Sequence, residues 1–346
     1  MKYLLEQCIT EGREDQFPLV VDDLINKYRE FEDTLNKEVH PKVNEGAATK
    51  GDGRLTEHGI PHIIRVFDCA YKLAIGRIAD LKGYEIFMLC IAIHLHDIGN
   101  LDGRGDHENH IRSVVNRLKI NIPTNKDSTT HNTIISIAEA HGGISAIKRD
   151  NDTFFDLARS VTLFGDFVVR PALIASILRF ADELSDFFKR TDDIVDIPRE
   201  NELFHAFSSS LHECLIEGRT ISIVFRIKYA YTQKMLTKGS SKGYLYDWIM
   251  ERLSKLMREL EYCSKYSEGF IQINAVSVKL LVTKKDNESA VEYRDEIPLC
   301  LRGYPDATTN SLDYYLDFHK DTKEMIEPKC KTGRELKAAI KGRAKK

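Results

Sequence analysis

The segment "GYEIFMLCIAIHLHDIGN", Gly83 to Asn100, reads as a core helix, yet it carries His94, His96 and Asp97 at its end. From Cys90 to His110 the chain places four histidines and three aspartates. Taking an unpaired charge out of water is costly, so ionisable groups in such a position have a partner, another ion or a metal. His96 and Asp97 are consecutive, about 100° apart around a helix, so both can grip one ion held against the helix end. A fold of this chain must therefore bring further ligands to that end from other helices.

Two helices offer them. His62 lies one turn inside a helix opened by Pro61, and Ile63, Ile64 and Val66 follow it on a face expected to be buried. Asp182 stands in "ILRFADELSDFF", flanked by Leu178, Phe180, Ala181 and Leu184, where a lone carboxylate would be expensive. Histidine, histidine-aspartate and aspartate on three helices make a mixed nitrogen and oxygen site. That chemistry suits Mn, Fe, Co, Ni or Zn, with Mg less natural for so many imidazoles. A lone helical histidine or aspartate is more often packed or solvated than ligating, so the reading rests on the combination.

The combination resembles the HD-domain metal-dependent phosphohydrolases, whose pattern is H, then HD, then D on separate helices. The matching residues are His62 in "HGIPHIIRV", His96 and Asp97 in "HLHDIGN", and Asp182 in "LRFADELSD". In finer detail "HPKVNEGAA", "LTEHGIPHIIRV", "HLHDIGN", "HIRS", "AEAHGG" and "LRFADELSD", in this order, resemble the HD proteins of bacterial conflict and defence systems (HD-CE-like), including those joined to Hsp90-like ATPases. The likeness covers roughly residues 38 to 192. It implies a divalent-metal enzyme that cleaves a phosphoester, a nucleotide or a related compound, with antiviral defence as a setting.

Several such enzymes carry extra histidines that build a second metal site, with the HD aspartate bridging two ions. By that resemblance Asp97 bridges, His62, His96 and Asp182 complete one site, and two further histidines complete the other. His141, at the end of "IISIAEA" and before two glycines, is one. His107 and His110 compete for the remaining place, three residues apart, and the "HIRS" match favours His110. Two cations, drawn from Mn, Fe, Ni, Co, Zn or Mg, can make water a nucleophile at neutral pH and neutralise phosphoryl oxygens. His58, just before the helix of His62, is either a cleft residue exchanging protons with substrate or a loop histidine bonded to backbone. Arg104 is assigned to catalysis, and Arg65, Lys148 and Arg190 are candidates for substrate phosphate; for each, a solvated or ion-paired role is at least as good a reading. His94 points away from His96 and reads as structural, and His131, His205, His212 and His319 lack a supporting context. The loose glycines match neither a P-loop nor a dinucleotide fingerprint. Two other functions compete with hydrolysis: a di-iron HD oxygenase using the same ligand set, and a non-catalytic module that senses a nucleotide.

Around this centre the sequence predicts a mainly α fold, a helical HD-domain bundle with a small C-terminal α+β (β-α-β) appendage. The expected divisions are 1–50, an N-terminal helical segment and loop; 51–195, the HD domain; 196–330, the small α+β domain; and 331–346, a basic tail. "HPKVNEGAATKGDGRLTEHG" reads as a long connecting loop, and helices are expected over "NHIRSVVNRL", "HNTIISIAEAHGG", "DTFFDLARSVTLF" and "RPALIASILRFADELSDFF". Later "RTISIVFRIKYAY" and "INAVSVKLLVT" read as strands flanking the long helix "YLYDWIMERLSKLMRELEYCSKYS". That helix carries a stripe of Leu245, Ile249, Leu253, Leu256 and Leu260, to be covered by those strands or by a second copy in a homodimer.

Composition adds limits. At 346 residues and 42% hydrophobic, the chain has room for a large domain and a smaller one. It has no run of about 18 apolar residues, and acidic residues meet the N-terminus before a signal-peptide core forms, so a cytoplasmic protein without a membrane partner is expected. Seven scattered cysteines without a CxxC pair read as reduced thiols. A formal charge of -3 gives no overall attraction to nucleic acid. The basic tail "KCKTGRELKAAIKGRAKK", more often a solvated end than a binding arm, leaves nucleic acid open as a partner.

Overall fold

The structure is a computed structural model that describes residues 21–46, 59–103, 105–124, 127–145, 147–163, 167–187, 202–301, 312–317 and 325–343. The chain divides into two compact units, one of Met1–Ser185 with Cys263–Ile271, the other of Asp186–Tyr262 with Gln272–Lys346. The fold is mainly α with a smaller α+β part, as the sequence predicts.

The first unit is built from helices α1 (Val21–Glu38), α2 (His40–Gly46), α3 (Ile60–Ala74), α4 (Gly83–Leu95), α5 (His107–Leu118), α6 (Ser128–Glu139) and α7 (Pro171–Ser185). Every residue of α4 is buried, which an all-round apolar helix requires. α1, α3, α6 and α7 pack against it, so its last turn, and with it the HD pair, lies inside the bundle. Its one buried carboxylate is fully engaged. Glu85 accepts from the Lys82 amide at 3.0 Å as a helix cap and pairs with Arg170 through Nε at 2.9 Å and Nη2 at 2.6 Å. α3 is amphipathic: Ile63, Val66, Cys69, Ala70 and Ala74 face inward beside His62, while Ile64 is left out in solvent.

Two local expectations are corrected. Residues 40–46 form α2 instead of opening a loop, with Pro41 in the first turn, where its missing N–H costs nothing, and Val43 buried. The rest of that stretch, 47–58, lies outside the described residues. "DTFFDLARSVTLF" is not a helix but a single 3-10 turn, Thr153–Asp156, followed by strand β1 (Val161–Thr162), which pairs with β2 (Val168–Val169). Phe154 is buried and Phe155 is exposed, and the β-branched Val161 and Thr162 suit the extended chain.

In the second unit α8 (Glu202–Ser210) precedes strands β3 (Leu211–Glu217) and β4 (Thr220–Ile227). The short helix α9 (Tyr229–Gln233), the hairpin β5 (Leu236–Lys238) and β6 (Ser241–Gly243), and the long helix α10 (Leu245–Tyr266) follow. Strands β7 (Ala275–Thr283) and β8 (Val291–Cys300) and helix α11 (Gly333–Arg343) complete it. The sheet order is β3-β4-β7-β8. β4 and β7 run parallel, from Thr220 opposite Ala275 to Ile227 opposite Val282, which makes β4-α10-β7 the expected β-α-β unit. β3 and β8 flank it antiparallel. The stripe Leu245, Ile249, Leu253, Leu256 and Leu260 is buried within the single chain, so it does not need a second copy to cover it. The basic tail is also partly docked: Leu336 and Ile340 of α11 are buried. Among the described residues no cysteine is in a disulfide, and no helix is long and apolar enough to cross a membrane.

Candidate metal centre

Five pieces of the first unit converge on the end of α4. Pro61 in the first turn of α3 fixes the entry of that helix, and His62 follows it, buried. His96 is the residue on which α4 ends. Asp97 then turns the chain at φ -103, ψ 0 into the 3-10 turn Ile98–Asp102. Inside that turn a Cβ on Gly99 would lie 1.8 Å from the carbonyl oxygen of His107, so only glycine lets the HD turn rest on the first residue of α5. His141 follows the end of α6, and Asp182 projects from α7.

The side chains form two groups of three. His62, His96 and Asp182 are one, and Asp97, His107 and His141 the other, each with one donor atom per residue within 4.8 Å of the others. In the first, His62 Nε2 is 3.2 Å from His96 Nε2 and 3.2 Å from Asp182 Oδ1, and His96 Nε2 is 3.6 Å from that oxygen. In the second, His107 Nε2 is 3.2 Å from Asp97 Oδ1 and 3.1 Å from His141 Nε2. Asp97 joins them: its Oδ2 is 3.3 Å from His62 Nε2 and 3.4 Å from His96 Nε2, while its Oδ1 meets His107. Asn100 holds that carboxylate, donating from Nδ2 to Oδ1 at 2.9 Å and to the Asp97 carbonyl at 3.0 Å.

The donor chemistry fits divalent cations. His96 Nδ1 donates to the Ile93 carbonyl at 2.7 Å and His141 Nδ1 to the Ala138 carbonyl at 2.6 Å, which leaves each Nε2 as the free donor atom turned inward. His107 Nδ1 is likewise held, 3.0 Å from Glu108 Oε2. Ligands on one cation at about 2.0–2.2 Å stand roughly 2.8–3.6 Å apart, the spacing found across the first group and between His107 and each of Asp97 and His141 in the second. Two imidazole Nε2 lone pairs facing each other at 3.1–3.2 Å would repel without a proton or cation between them.

Electrostatics separates the histidines. Burial works to lower His96, but the charges of Asp97 and Asp182 and the bond to Ile93 raise it to about 9. His62 is raised for the same reason, against burial, through Asp182 and Asp97. Asp182, which burial would raise, is held well below the usual carboxylate range by His62 and His96. Burial and the neighbouring His96 and His107 push His141 down to about 3. A metal ion held here would have to displace the protons on His62 and His96.

A family model, HD-CE, matches residues 52–255 of the chain. The protein belongs to the HD-CE family. The match takes in the whole convergence of His62, His96, Asp97, His107, His141 and Asp182 and runs on into the second unit. A comparison with curated proteins gives no match.

Within this HD-CE protein the histidine of the second group is His107, and the preference for His110 is corrected. His107 is the first residue of α5 and rests on Gly99, whereas His110 stands one turn, about 4.5 Å, further along the axis. His110 is half-buried, and its Nδ1 has no hydrogen-bond partner among the described residues. Lys148 pairs with Asp152, and its Nζ lies 4.1 Å from the centre of the Phe155 ring. Arg65 is half-buried one turn after His62. His58, Arg104 and Arg190 lie outside the described residues. Asn100 and Glu108 were not among the sequence candidates. An asparagine three residues after the HD aspartate, and a glutamate beside a ligand histidine, are the only signals that point to them.

Proposed function

We propose that the first unit hydrolyses a phosphoester, a nucleotide or a related small molecule, with two divalent cations. The observation that carries this reading is Asp97, whose two carboxylate oxygens each face a different group of imidazoles. Cations bound there supply charge neutralisation for a phosphoryl group and make water a nucleophile at neutral pH. The chain's own part is to hold the donors. Asn100 fixes Asp97, the Ile93 and Ala138 carbonyls fix the rings of His96 and His141, and Asp182, with 29% of its side chain exposed, marks the side from which substrate enters. Bacterial defence is the setting that the sequence resemblance supports, and a second copy is the expected protein partner.

The test has two stages. Metal analysis of protein purified without added metal is expected to give about two ions per chain. A screen of nucleotides and cyclic nucleotides with Mn, Ni, Co or Mg is then expected to release phosphate or open the ester. Two spectroscopically coupled irons with oxygen uptake would replace hydrolysis by an oxygenase, which four imidazoles and two carboxylates also suit. Nucleotide binding without turnover would make the unit a sensor.

A further inference from the structure

Glu108 is buried at the second position of α5, beside the second group but outside it. Its Oε2 accepts from His107 Nδ1 at 3.0 Å. Its other side rests on the two glycines that follow His141. A Cβ on Gly143 would come within 2.5 Å of Glu108 Oε1 and 2.6 Å of its Cγ, and one on Gly142 would lie 3.9 Å from its Cδ. Gly143 also has φ +79, a conformation that glycine adopts without strain. One carboxylate is thus wedged between the ring of His107 and the turn leaving His141, the two histidines whose Nε2 atoms stand 3.1 Å apart.

We propose that Glu108 is the positioning residue that builds the second cation's site, by fixing the tautomer of His107 and bracing the Gly142–Gly143 turn so that His107 and His141 face each other. The proposal rests on reading Asp97, His107 and His141 as a cation site. The first turn of α5 favours a carboxylate there through its exposed amides and dipole. It also gives "HENH" and "HGG" one joint purpose: the glutamate needs the glycines' missing side chains. Glu108 need not touch substrate or cation. Its effect is local to one of the two groups, because no atom of it is bonded to His62, His96 or Asp182.

The test is a titration of the full chain with Mn and with Co, reading ion stoichiometry and the affinity of each site by competition with a chromophoric chelator, on wild type and on three variants. Glu108→Ala is expected to weaken one of two sites by about 10–100-fold and leave the other unchanged. Glu108→Gln, whose amide oxygen accepts the same N–H, is expected to stay near wild type. Gly143→Ala, approaching from the other side of the wedge, is expected to reproduce the loss at the same site, since the added methyl displaces the carboxylate. Two wild-type affinities in Glu108→Ala would overturn the proposal, as would equal weakening of both sites, which would mean general loosening of the bundle. Fewer than two ions on the wild-type chain would instead overturn the two-cation reading, and this proposal with it.

Discussion

His94 and His96 leave α4 two residues apart, about 200° around the helix, and both are buried to within 1%. His96 turns to carboxylates. His94 turns to Tyr28, Phe31, Phe67 and His40, with ring centres 5.1–6.0 Å away. Its two nitrogens are already used, Nδ1 with His40 Nε2 at 3.2 Å and Nε2 with the Tyr28 hydroxyl at 3.2 Å, with Glu32 3.7 Å away. The metal-type group sets imidazole nitrogens against the carboxylates of Asp97 and Asp182; the aromatic group closes on itself. Burial alone therefore does not mark a ligand. What marks the candidate site is the convergence of imidazole nitrogens and carboxylate oxygens from separate elements on one another.

The largest expected effect breaks the metal side of this comparison. Asp97→Ala removes the one carboxylate shared by both groups, so metal content should fall from about two ions to near zero, with turnover. The chain should still fold, because Asp182 remains as the partner of His62 and His96, while His107 loses the charge that favours its protonated form. Full metal content in this variant, measured by elemental analysis, would refute the bridging role.

His94→Ala tests the other side. The lost ring leaves a cavity among Tyr28, Phe31, Phe67 and His40 and strips His40 Nε2 and the Tyr28 hydroxyl of a partner. A loss of about 2–4 kcal/mol of unfolding free energy is expected in denaturant titration. The ion count of the folded fraction should stay at the wild-type value. Loss of ions without loss of stability would mean that the two groups had been assigned the wrong way round.

The HD pair was legible because α4 is apolar enough to make any ionisable group in it conspicuous, and Pro61 and the apolar flanks of Asp182 pointed to the other two residues of the first group. His107 was not. The three-residue spacing to His110 leaves both near one helical face, and the decision lies in the close approach of Gly99 to the His107 carbonyl, a contact between segments that periodicity does not encode. Glu108 and Asn100 were missed for the same reason, since their partners come from the fold. In the second unit the β4-α10-β7 core was readable from alternation. The flanking strands were harder: β3 has the irregular burial of an edge, and β8 mixes Arg294, Asp295, Glu296 and Pro298 into its run.

A smaller effect separates the two groups by sign. In metal-free protein His96 is raised to about 9 while its unfolded value is near 6.5, so its contribution to stability is fully present below about pH 6.5 and is lost as pH rises through 9. His40 behaves oppositely. Burial and the neighbouring His94 lower it to about 3, so its contribution is present above about pH 6.5 and is lost as pH falls through 3. Denaturation in chelator should therefore show His96→Ala losing its cost relative to wild type between about pH 6.5 and 9.5, where His40→Ala shows no such trend. A cost for His96→Ala that is flat across that window would sink the charge assignment. With saturating metal the trend should vanish, because the ion replaces the proton.

The smallest effect probes the aromatic group by one atom. Tyr28→Phe keeps the ring, which stacks edge-on with Phe87 at 6.5 Å, and deletes only the hydroxyl that meets His94 Nε2. A single buried hydrogen bond contributes about 0.5–1.5 kcal/mol, so the unfolding midpoint should shift slightly and the metal content not at all. The Glu32 carboxylate, 3.7 Å from the same nitrogen, is close enough to take over as the partner, which would hold the loss to the lower end of that range. Tyr28→Phe with Glu32→Ala should then cost more than the sum of the two, because both partners of His94 Nε2 are gone. Additive costs would mean that Glu32 never substitutes for the hydroxyl, and a drop in bound metal in either variant would mean that the aromatic group is part of the metal centre after all.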